Sequence, residues 1–387
     1  MNVVLLGLGL QGRAALYDLV KYSTFPKIVA VDFMQQAVDW AKEKFGDERV
    51  KVLQCDVTKG ASFSELLAQY DTGVVIDLLP IQCIPLVSSI AITKGWHFVN
   101  TYYTQAVQQE LHQEAVKKEL TILPEFGLDP GIDLVVTGNG ISSVDTVTGF
   151  FSYGAGIPEP KACTNPLNYK ISWIFEGVLT AYSQPATIIQ DGEVITIPAH
   201  DIFSEKWLRQ VTIDALGTLE CHPNGDVTRY TRLARLNAVR NAGRYSMRYP
   251  GHARFWNIMA KLGLLEDKKV KINGHEYSQR KVLTHLFEPA LQYAPHERDM
   301  TILRVELTGE KDGQNVQQIY ELVDHRDLAT GFMSMSRTVG FVASIGAQMI
   351  QSGVIRKRGL CNPLFDVPYE PFIEELEKRE IHIKQTR

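Results

Sequence analysis

Hydrophobic and polar positions divide the chain into two stretches with different periodicity. In the first stretch, short apolar runs such as Val3-Val-Leu-Leu6 alternate with segments of helical periodicity, which is typical of parallel strands that are buried on both faces. From Thr146 onward, extended and alternating runs dominate, and the hairpin turn signal Asp191-Gly192 lies between two of them. The pattern therefore predicts an α/β protein, with a doubly wound parallel sheet followed by a mixed or antiparallel sheet with few helices.

The length of the chain and a change of pattern near its end indicate two domains. At 387 residues, the chain exceeds one ordinary compact core. A helical pattern rich in small residues returns over 331–351, and we expect it to pack closely against the first domain. We therefore predict a discontinuous first domain of residues 1–125 plus about 331–387, with an α+β domain of residues 126–330 inserted into it.

A glycine-rich stretch directly follows the first predicted strand. It runs from Gly7 through Gly9 to Gly12, where a helical pattern begins. A second predicted strand, Ile28–Val31, ends in Asp32, about 20 residues after Gly12, which is the spacing of the Rossmann dinucleotide-binding fingerprint. The succession of strand, glycine loop, helix, strand and acidic residue therefore predicts a Rossmann domain that binds a nicotinamide dinucleotide.

The residues of this glycine-rich stretch have separate predicted roles. Gly7 makes the tight turn, Gly9 lets the backbone approach the pyrophosphate, and Gly12 lets the helix pack against the strand. Leu10 and Gln11 lie at the start of the helix, where backbone N–H groups hold phosphates.

Asp32 and three residues at other strand ends complete the predicted cofactor site. The Asp32 carboxylate would accept hydrogen bonds from the ribose hydroxyls and repel a 2′-phosphate, so we expect NAD rather than NADP. The alternative is that Asp32 only caps the next helix. Asp56, Leu79 and Pro80 also follow predicted strands and should border the cofactor. For Leu79 and Pro80, ordinary loop packing is an equal alternative.

Composition narrows the class of partner. The formal net charge of -4 gives no attraction to nucleic acid or to an anionic membrane, so we expect a small-molecule substrate. The five cysteines form no Cys-x-x-Cys pair, which indicates neither a disulfide framework nor a zinc site, and we expect no metal. No apolar run reaches the ~20 residues of a membrane span, and no leader pattern precedes the first strand. The sequence therefore predicts a cytoplasmic protein.

An arginine-rich segment, residues 229–254, lies in this otherwise acidic chain. Its arginines are Arg229, Arg232, Arg235, Arg240, Arg244, Arg248 and Arg254. Scattered aromatic residues and the lack of overall basicity argue against a nucleic-acid patch. One or two of these arginines are better explained as clamps for substrate carboxylates, and the others as a solvated face. Charge alone does not tell which are which.

Five further motifs lie outside the glycine fingerprint. They are Glu125-Phe-Gly-Leu-Asp-Pro-Gly-Ile-Asp133, Phe151-Ser-Tyr153 with Gly156-Ile-Pro158, Asn165-Pro-Leu-Asn-Tyr-Lys170 before Ser172-Trp173, Arg248-Tyr-Pro-Gly-His252, and Ser336-Arg-Thr-Val-Gly340. Together with the fingerprint they resemble the saccharopine dehydrogenase family, in particular glutamate-forming saccharopine reductases and bacterial lysine 6-dehydrogenases. The resemblance covers nearly the whole chain. It implies a Rossmann domain with an inserted α+β substrate-binding and dimerisation domain, and hence a homodimer.

The resemblance also implies a chemistry and site residues. The family oxidises the carbon–nitrogen bond at the ε-carbon of a lysine-like substrate, passes hydride to nicotinamide and leaves an imine that water hydrolyses. Because the amine must be neutral, a base must lie nearby. The resemblance places Asp129 beside the substrate and Tyr103 in the same pocket. It also implies that Trp173 lines the substrate and that Arg248 clamps a carboxylate.

Each of these assignments has a structural alternative. Asp129 can serve only as a helix cap, and Tyr103 can be a half-buried core residue. Lys170 and His252 lie within the motifs and are further candidates for substrate binding. A lone lysine is usually solvated, however, and a lone histidine is usually just hydrogen-bonded.

Two departures from the family pattern bear on the substrate. Gly154 stands where saccharopine reductases carry a cysteine, and Ile174 stands where they carry a serine after the tryptophan. Together with Asp32, these departures favour an NAD-dependent lysine 6-dehydrogenase, which oxidises free lysine. The alternatives are a glutamate-forming saccharopine dehydrogenase, a dehydrogenase of carboxylated polyamines and, in another class, a non-catalytic NAD-binding sensor.

Overall fold

The computed structural model of the chain describes residues 1–214 and 216–386. Arg387, the last residue of the first predicted domain, lies outside the described residues. The chain divides into two compact units. Unit 1 comprises Met1–Asn139 and Ser336–His382, and unit 2 comprises Gly140–Met335 and the residues from Ile383.

Strands and helices alternate in unit 1, whereas strands predominate in unit 2. The strands are β1 (Asn2–Leu6), β2 (Ile28–Asp32), β3 (Val50–Gln54), β4 (Gly73–Asp77), β5 (His97–Asn100), β6 (Thr121–Leu123), β7 (Thr146–Pro158), β8 (Ala186–Gln190), β9 (Glu193–Ile197), β10 (Arg209–Ile213), β11 (Gly217–Pro223), β12 (Asn241–Arg248), β13 (Lys269–Ile272), β14 (His275–Ser278), β15 (Asp299–Lys311), β16 (Gln314–His325), β17 (Gly359–Leu360) and β18 (Ile383–Thr386). The helices are α1 (Leu10–Tyr22), α2 (Gln35–Lys44), α3 (Gly60–Leu67), α4 (Ile84–Thr93), α5 (Ala106–Glu110), α6 (His112–Lys117), α7 (Ile132–Ser142), α8 (Phe175–Tyr182), α9 (Val227–Leu233), α10 (His252–Lys261), α11 (Gln279–Phe287), α12 (Ser334–Ser336), α13 (Val342–Gln351), α14 (Pro363–Asp366) and α15 (Tyr369–Glu377).

The predicted doubly wound parallel sheet is present in unit 1. Over the described residues it has seven strands in the order β17-β6-β5-β4-β1-β2-β3, and every neighbouring pair is parallel. Val3, Val4, Leu5 and Leu6 of β1 are all fully buried, because helices cover both faces of such a sheet. The order of the strands reverses direction beside β1, and ligands of doubly wound sheets bind at such a point.

The returning segment of unit 1 packs closely against α1. A Cβ added to Gly340 would lie 2.3 Å from the Gln11 carbonyl oxygen, so only glycine allows this approach. Further along, the guanidinium Nε of Arg379 donates to a carboxylate oxygen of Asp18 at 2.6 Å, and both side chains are fully buried. This ion pair fixes the segment after α15 onto α1.

Unit 2 is built on a mixed sheet. Among the described residues the sheet runs β10-β11-β12-β7-β15-β16-β18, and β8 pairs with both β12 and β9. The β12–β7 pair is parallel, and the other pairs are antiparallel. The predicted hairpin turn is present, since Asp191 and Gly192 join β8 to β9 with φ of 53° and 90°. The α/β fold class with a second, mixed-sheet unit is therefore confirmed.

Helices α8 and α10 of unit 2 carry an aromatic core. Phe175 and Tyr182 of α8 and Trp256 of α10 are buried, and they pack in one cluster with Tyr169 and Phe203. This core surrounds the polar cluster of unit 2 described below.

Several elements of unit 2 escaped the sequence pattern. Helices α9 and α11 are short and rich in polar residues, and β12 lies inside the arginine-rich segment, so their polar content obscured them in the sequence. Strand β18 pairs with β16 and belongs to unit 2, although the sequence analysis assigned residues up to 387 to the first domain. Searched over the described residues, the structure contains no helix with the length and apolarity needed to cross a membrane.

Candidate functional site

The glycine-rich loop between β1 and α1 is shaped to receive a ligand. Gly7 has a φ of 89°, and a Cβ on Gly12 would lie 1.8 Å from the Gly7 carbonyl oxygen, so the turn tolerates no side chain at Gly12. A Cβ on Gly9 would meet nothing within 4 Å, so the backbone there is open. Helix α1 begins at Leu10, and its N-cap Gly9 supplies no side-chain cap. The first backbone N–H groups of α1, with Gln11 in its first turn, are therefore available to an anion.

The strand ends beside this loop enclose a cavity of about 280 Å3. Asp32, Asp56, Leu79 and Pro80, all predicted from their positions after strands, line it together. Cys83 also lines it, and the sequence analysis gave no reason to single out that residue. The structure thus brings four predicted cofactor residues to one place, and their contact with a cofactor stays a prediction.

The carboxylate of Asp32 accepts two hydrogen bonds from the protein backbone. Its Oδ2 accepts a hydrogen bond from the Leu8 amide at 2.7 Å, and its Oδ1 accepts one from the Met34 amide at 2.8 Å. The residue therefore holds the glycine loop against the end of β2. The presence of an aspartate at this position does not by itself show that a ribose hydroxyl binds there.

Two loops of unit 1 bring Tyr103 and Asp129 to the same edge of the sheet. The loop after β5 carries Tyr103, and the loop after β6 carries Asp129. Glu125 joins them, because its Oε1 accepts hydrogen bonds from both the amide and the hydroxyl of Thr104 at 2.8 Å. Tyr103 and Asp129 are both half-buried. The two residues that the family resemblance singles out for chemistry thus lie on loops tied to each other.

The segment 125–133 closes on itself, which fixes the position of Asp129. The Gly127 amide donates to the Pro130 carbonyl at 2.9 Å. A Cβ on Gly131 would lie 2.0 Å from the Gly127 carbonyl oxygen, so only glycine fits there. At the end of the loop, Asp133 is 1% exposed and accepts from the Gly131 amide at 2.7 Å. Burial raises the pKa of Asp133 to about 7.

Arg248, at the end of β12, belongs to a buried polar cluster in unit 2. It is 7% exposed. Its Nη1 donates to the Met247 carbonyl at 2.7 Å, and its Nε donates to the Tyr182 hydroxyl at 3.1 Å. Among the described residues, no carboxylate pairs with this guanidinium. A buried cation without a counterion is costly, and an anionic ligand would relieve that cost.

His252 supports this arginine through Tyr182. Burial, with Arg248 and His222 nearby, holds the pKa of His252 well below its usual range, so the ring is neutral. The Tyr182 hydroxyl is hydrogen-bonded to Nε2 of His252 at 2.9 Å, and it accepts a hydrogen bond from Arg248. His252 is 2% exposed, so we expect it to orient Arg248 through Tyr182 rather than to contact a substrate itself. Tyr182 was missed because nothing near it in the sequence marks it.

Trp173 and Lys170 have different surroundings. The Trp173 ring lies against Gly177, where an added Cβ would come within 2.6 Å of it. Lys170 is 4% exposed and pairs with Glu297, with Nζ–Oε2 and Nζ–Oε1 distances of 2.5 and 2.7 Å. Because a buried carboxylate already neutralises Lys170, we leave this residue out of the proposed substrate site. Trp173 remains half-buried and accessible.

Fold and site together define a dinucleotide-binding oxidoreductase with a second, mixed-sheet unit. Comparison with known families is more specific. The model of the saccharopine dehydrogenase NADP binding domain matches residues 3–123, and that of the saccharopine dehydrogenase C-terminal domain matches residues 127–381. The chain therefore belongs to the saccharopine dehydrogenase family, as its motifs predicted, and the expectation of a dehydrogenase is confirmed.

Individual relatives are similar over their full length. The NADP(+), L-glutamate-forming saccharopine dehydrogenase of Saccharomyces cerevisiae is 27% identical over 99% of this chain and 98% of its own. The enzyme of the same name from Pyricularia oryzae is 25% identical over 98% of this chain and 97% of its own. The apo structure of the L-Glu-forming saccharopine dehydrogenase from Saccharomyces cerevisiae has a TM-score of 0.87 at 26% identity and covers 100% of this chain and 99% of its own.

The prediction of NAD as the preferred cofactor is wrong. The family model that matches residues 3–123 describes an NADP binding domain, and both relatives are named as NADP(+) enzymes. The prediction rested on Asp32 alone, and the structure shows that this carboxylate also holds two backbone amides, so its presence did not decide the cofactor. The open backbone at Gly9, the uncapped start of α1 and the adjoining cavity fit a dinucleotide.

Proposed function

We propose that this chain is an NADP-linked saccharopine dehydrogenase of the glutamate-forming type. The observation that carries the proposal is the likeness to the yeast enzyme of that name, which extends over 99% of this chain and 98% of its own. The sequence analysis ranked free lysine ahead of saccharopine, and these relatives give no support to that order. The departures at Gly154 and Ile174 are therefore interpreted as variation within the site rather than as a change of substrate.

The chemistry requires a proton acceptor and a positioned amine. Saccharopine joins the ε-carbon of a lysine moiety to the nitrogen of glutamate, and NADP, when bound, supplies the nicotinamide that accepts hydride from that carbon. The substrate nitrogen must be neutral, since only its lone pair can drive the hydride out. We assign the proton of this nitrogen to the Asp129 carboxylate. Water then adds to the carbon–nitrogen double bond, and hydrolysis releases glutamate and an aldehyde.

Tyr103 is the second residue that we assign to this step. Its loop is held to the Asp129 loop by the bonds from Thr104 to Glu125. A phenol on that loop can hydrogen-bond the water or the nitrogen of the substrate while Asp129 carries the proton. The closed hydrogen bonding within 125–133 holds the backbone that carries Asp129 in place during the transfer.

The charge of the substrate supports Arg248 as a binding residue. Saccharopine carries three carboxylates, whereas free lysine carries one. Arg248 is a buried guanidinium that no carboxylate of the described residues neutralises, and guanidinium groups bind carboxylates through paired hydrogen bonds. Trp173, half-buried in the same unit, offers apolar surface for the carbon chain of the substrate.

A substrate panel tests the proposal. Initial rates of formation of the reduced nicotinamide are measured with saccharopine, lysine and a carboxylated diamine, each with NADP and with NAD. We expect kcat/KM for saccharopine with NADP to exceed that for lysine by about tenfold or more. Equal or faster oxidation of lysine would contradict the proposal. Tight dinucleotide binding without turnover of any substrate would instead favour the sensor alternative.

Asp129→Asn separates catalysis from cofactor binding. Because the amide cannot accept the substrate proton, we expect kcat to fall by about a hundredfold or more. The Kd for NADPH, measured by fluorescence quenching, should stay within about twofold of the unaltered protein. A parallel loss of turnover and NADPH affinity would mean that Asp129 only supports the fold of the loop.

A further inference from the structure

We propose that Arg13, on the first turns of α1, is the residue that binds the 2′-phosphate of NADP. The proposal rests on the NADP linkage stated under the proposed function and names the group of this chain that would recognise the additional phosphate. The residues directly after β2, Phe33, Met34 and Gln35, carry no positive charge. A cation from another element must therefore balance the phosphate.

The position of Arg13 is fixed through Leu8, a residue of the glycine loop. Nε of Arg13 donates to the Leu8 carbonyl at 3.1 Å, and the amide of the same Leu8 donates to Asp32 at 2.7 Å. Arg13 and the carboxylate at the end of β2 are thus bonded to one shared residue. The adenosine ribose lies at the end of β2 in Rossmann domains, so the link through Leu8 points to a place for the guanidinium near the 2′-position.

A second contact holds the guanidinium plane and leaves its outer nitrogens open. The Cζ of Arg13 lies 4.4 Å from the centre of the Trp40 ring on α2. Over the ranges 1–214 and 216–386, the two Nη groups of Arg13 make neither a hydrogen bond nor an ion pair. An arginine held by its Nε and by stacking, with a free pair of Nη donors, is prepared for bidentate binding of a phosphate.

Two neighbouring cations of unit 1 each lie beside a carboxylate. Arg49 binds Asp47 together with the carbonyls of Val20 and Ser23, and it precedes β3, at the opposite end of the strand from the cavity. Lys59 lies 3.9 Å from Asp56, its carboxylate partner. Asp32 and Asp56 make the wall of the cavity acidic, so Arg13 also offsets their repulsion of a dianion.

The test measures binding of the two dinucleotides to the full chain without any substrate. Kd values for NADPH and NADH are determined by fluorescence quenching for the unaltered protein and for Arg13→Ala and Arg13→Lys. We expect Arg13→Ala to weaken NADPH binding by about tenfold or more and NADH binding by less than about twofold. Arg13→Lys should keep part of the NADPH affinity, because it keeps the charge but not the bidentate geometry.

Two controls make the result specific. Lys42→Ala removes an exposed cation from α2 and should change neither Kd. Adenosine 2′,5′-bisphosphate should compete with NADPH for the unaltered protein but not for Arg13→Ala. Thermal unfolding checks that the Arg13→Ala variant is folded. Equal weakening of NADPH and NADH, or unchanged NADPH affinity, would overturn the role of Arg13. Neither result would bear on saccharopine as the substrate, since no turnover is measured.

Discussion

Nε of Arg248 donates a hydrogen bond of 3.1 Å to the hydroxyl of Tyr182 inside unit 2. The two residues are 66 positions apart in the chain and belong to β12 and α8. The same hydroxyl is hydrogen-bonded to the neutral ring of His252 on α10. Residues of β12, α8 and α10 thus form one hydrogen-bonded chain that ends at the Arg248 guanidinium. Such a chain is suited to fix the orientation of this cation.

Tyr182→Phe tests whether Tyr182 positions Arg248. Loss of the hydroxyl leaves Nε of Arg248 without its acceptor, and the guanidinium can then turn away from the substrate carboxylate. We expect KM for saccharopine to rise about three- to tenfold while kcat and the Kd for NADPH stay nearly unchanged. Steady-state kinetics would measure the change, with Tyr277→Phe, an exposed tyrosine on β14, as the control. A fall in thermal stability with an unaltered KM would instead assign Tyr182 a structural role alone.

Gly177→Ala tests the placement of Trp173. The added Cβ would lie 2.6 Å from the Trp173 ring, so the ring must shift. We expect KM for saccharopine to increase several-fold, although alanine is the better helix former by about 1 kcal/mol and α8 itself should not weaken. Gly46→Ala, where a Cβ meets nothing within 4 Å, is the matched control. Unchanged kinetics in Gly177→Ala would exclude Trp173 from substrate binding.

Lys170→Met tests the role that the structure gives to Lys170. Its half-buried partner Glu297 would keep the hydrogen bond from the Ala294 amide but lose its cation, so we expect the free energy of unfolding to fall by about 1–2 kcal/mol. The double variant Lys170→Met/Glu297→Leu should recover part of this loss, because no unpaired charge remains. Chemical denaturation measures both variants. A large rise in KM for saccharopine at undiminished stability would return Lys170 to the substrate site.

The same ion pair predicts a dependence of stability on pH. The hydrogen bond from Lys170 lowers the pKa of Glu297, so the folded state binds this proton less readily than the unfolded state. The pair therefore contributes its full stability above the ordinary glutamate pKa and loses it as pH falls through the lowered value. The difference in stability between the unaltered protein and Lys170→Met should shrink on acidification over that range.

Asp133→Asn should make the stability of the protein depend less on pH. Burial raises the pKa of Asp133 from 3.8 to about 7, so the folded state keeps a proton that the unfolded state has already released. Stability is therefore lost as pH rises between these two values. An asparagine can still accept the hydrogen bond from the Gly131 amide but cannot titrate. We expect the free energy of unfolding of Asp133→Asn, relative to the unaltered protein, to increase from pH 5 to pH 7 and then level off, on the order of a few kcal/mol at most.

Chemical denaturation at several pH values measures this difference. Asp77, whose pKa burial also raises to about 7, contributes equally to both proteins and cancels. Asp71→Asn, at an exposed position, is the control and should run parallel to the unaltered protein. A parallel curve for Asp133→Asn as well would mean that the Asp133 carboxyl stays ionised in the folded state.

Much of unit 1 was predictable from the sequence. Each strand from β1 to β4 is a short apolar run followed by a helical segment, and connections of this kind are right-handed and bring the strand ends to one edge. For that reason Asp32, Asp56, Leu79 and Pro80 could be predicted to lie together, and one cavity has all four in its lining. The glycine pattern likewise predicted the open loop at Gly9.

The cofactor preference could not be predicted from the strand-end positions. The sequence identified an acidic residue at the end of β2. It did not show that two backbone amides donate hydrogen bonds to the carboxylate of this residue. One of them, the Leu8 amide, comes from a loop 24 residues away in the chain. Its position depends on how the turn closes, which residue type alone does not specify.

The sequence by itself determined the fold class, the glycine loop and the family, because these depend on local periodicity and on motifs of adjacent residues. Only the tertiary structure decided that Arg248 is buried with no carboxylate partner among the described residues, and that Lys170 is neutralised by Glu297. It also decided that Arg13 and Asp32 are both hydrogen-bonded to Leu8. Burial and pairing are properties of groups that are distant in the chain and meet only when its elements pack. The charge of a side chain can be read from its type, whereas its availability depends on its folded surroundings.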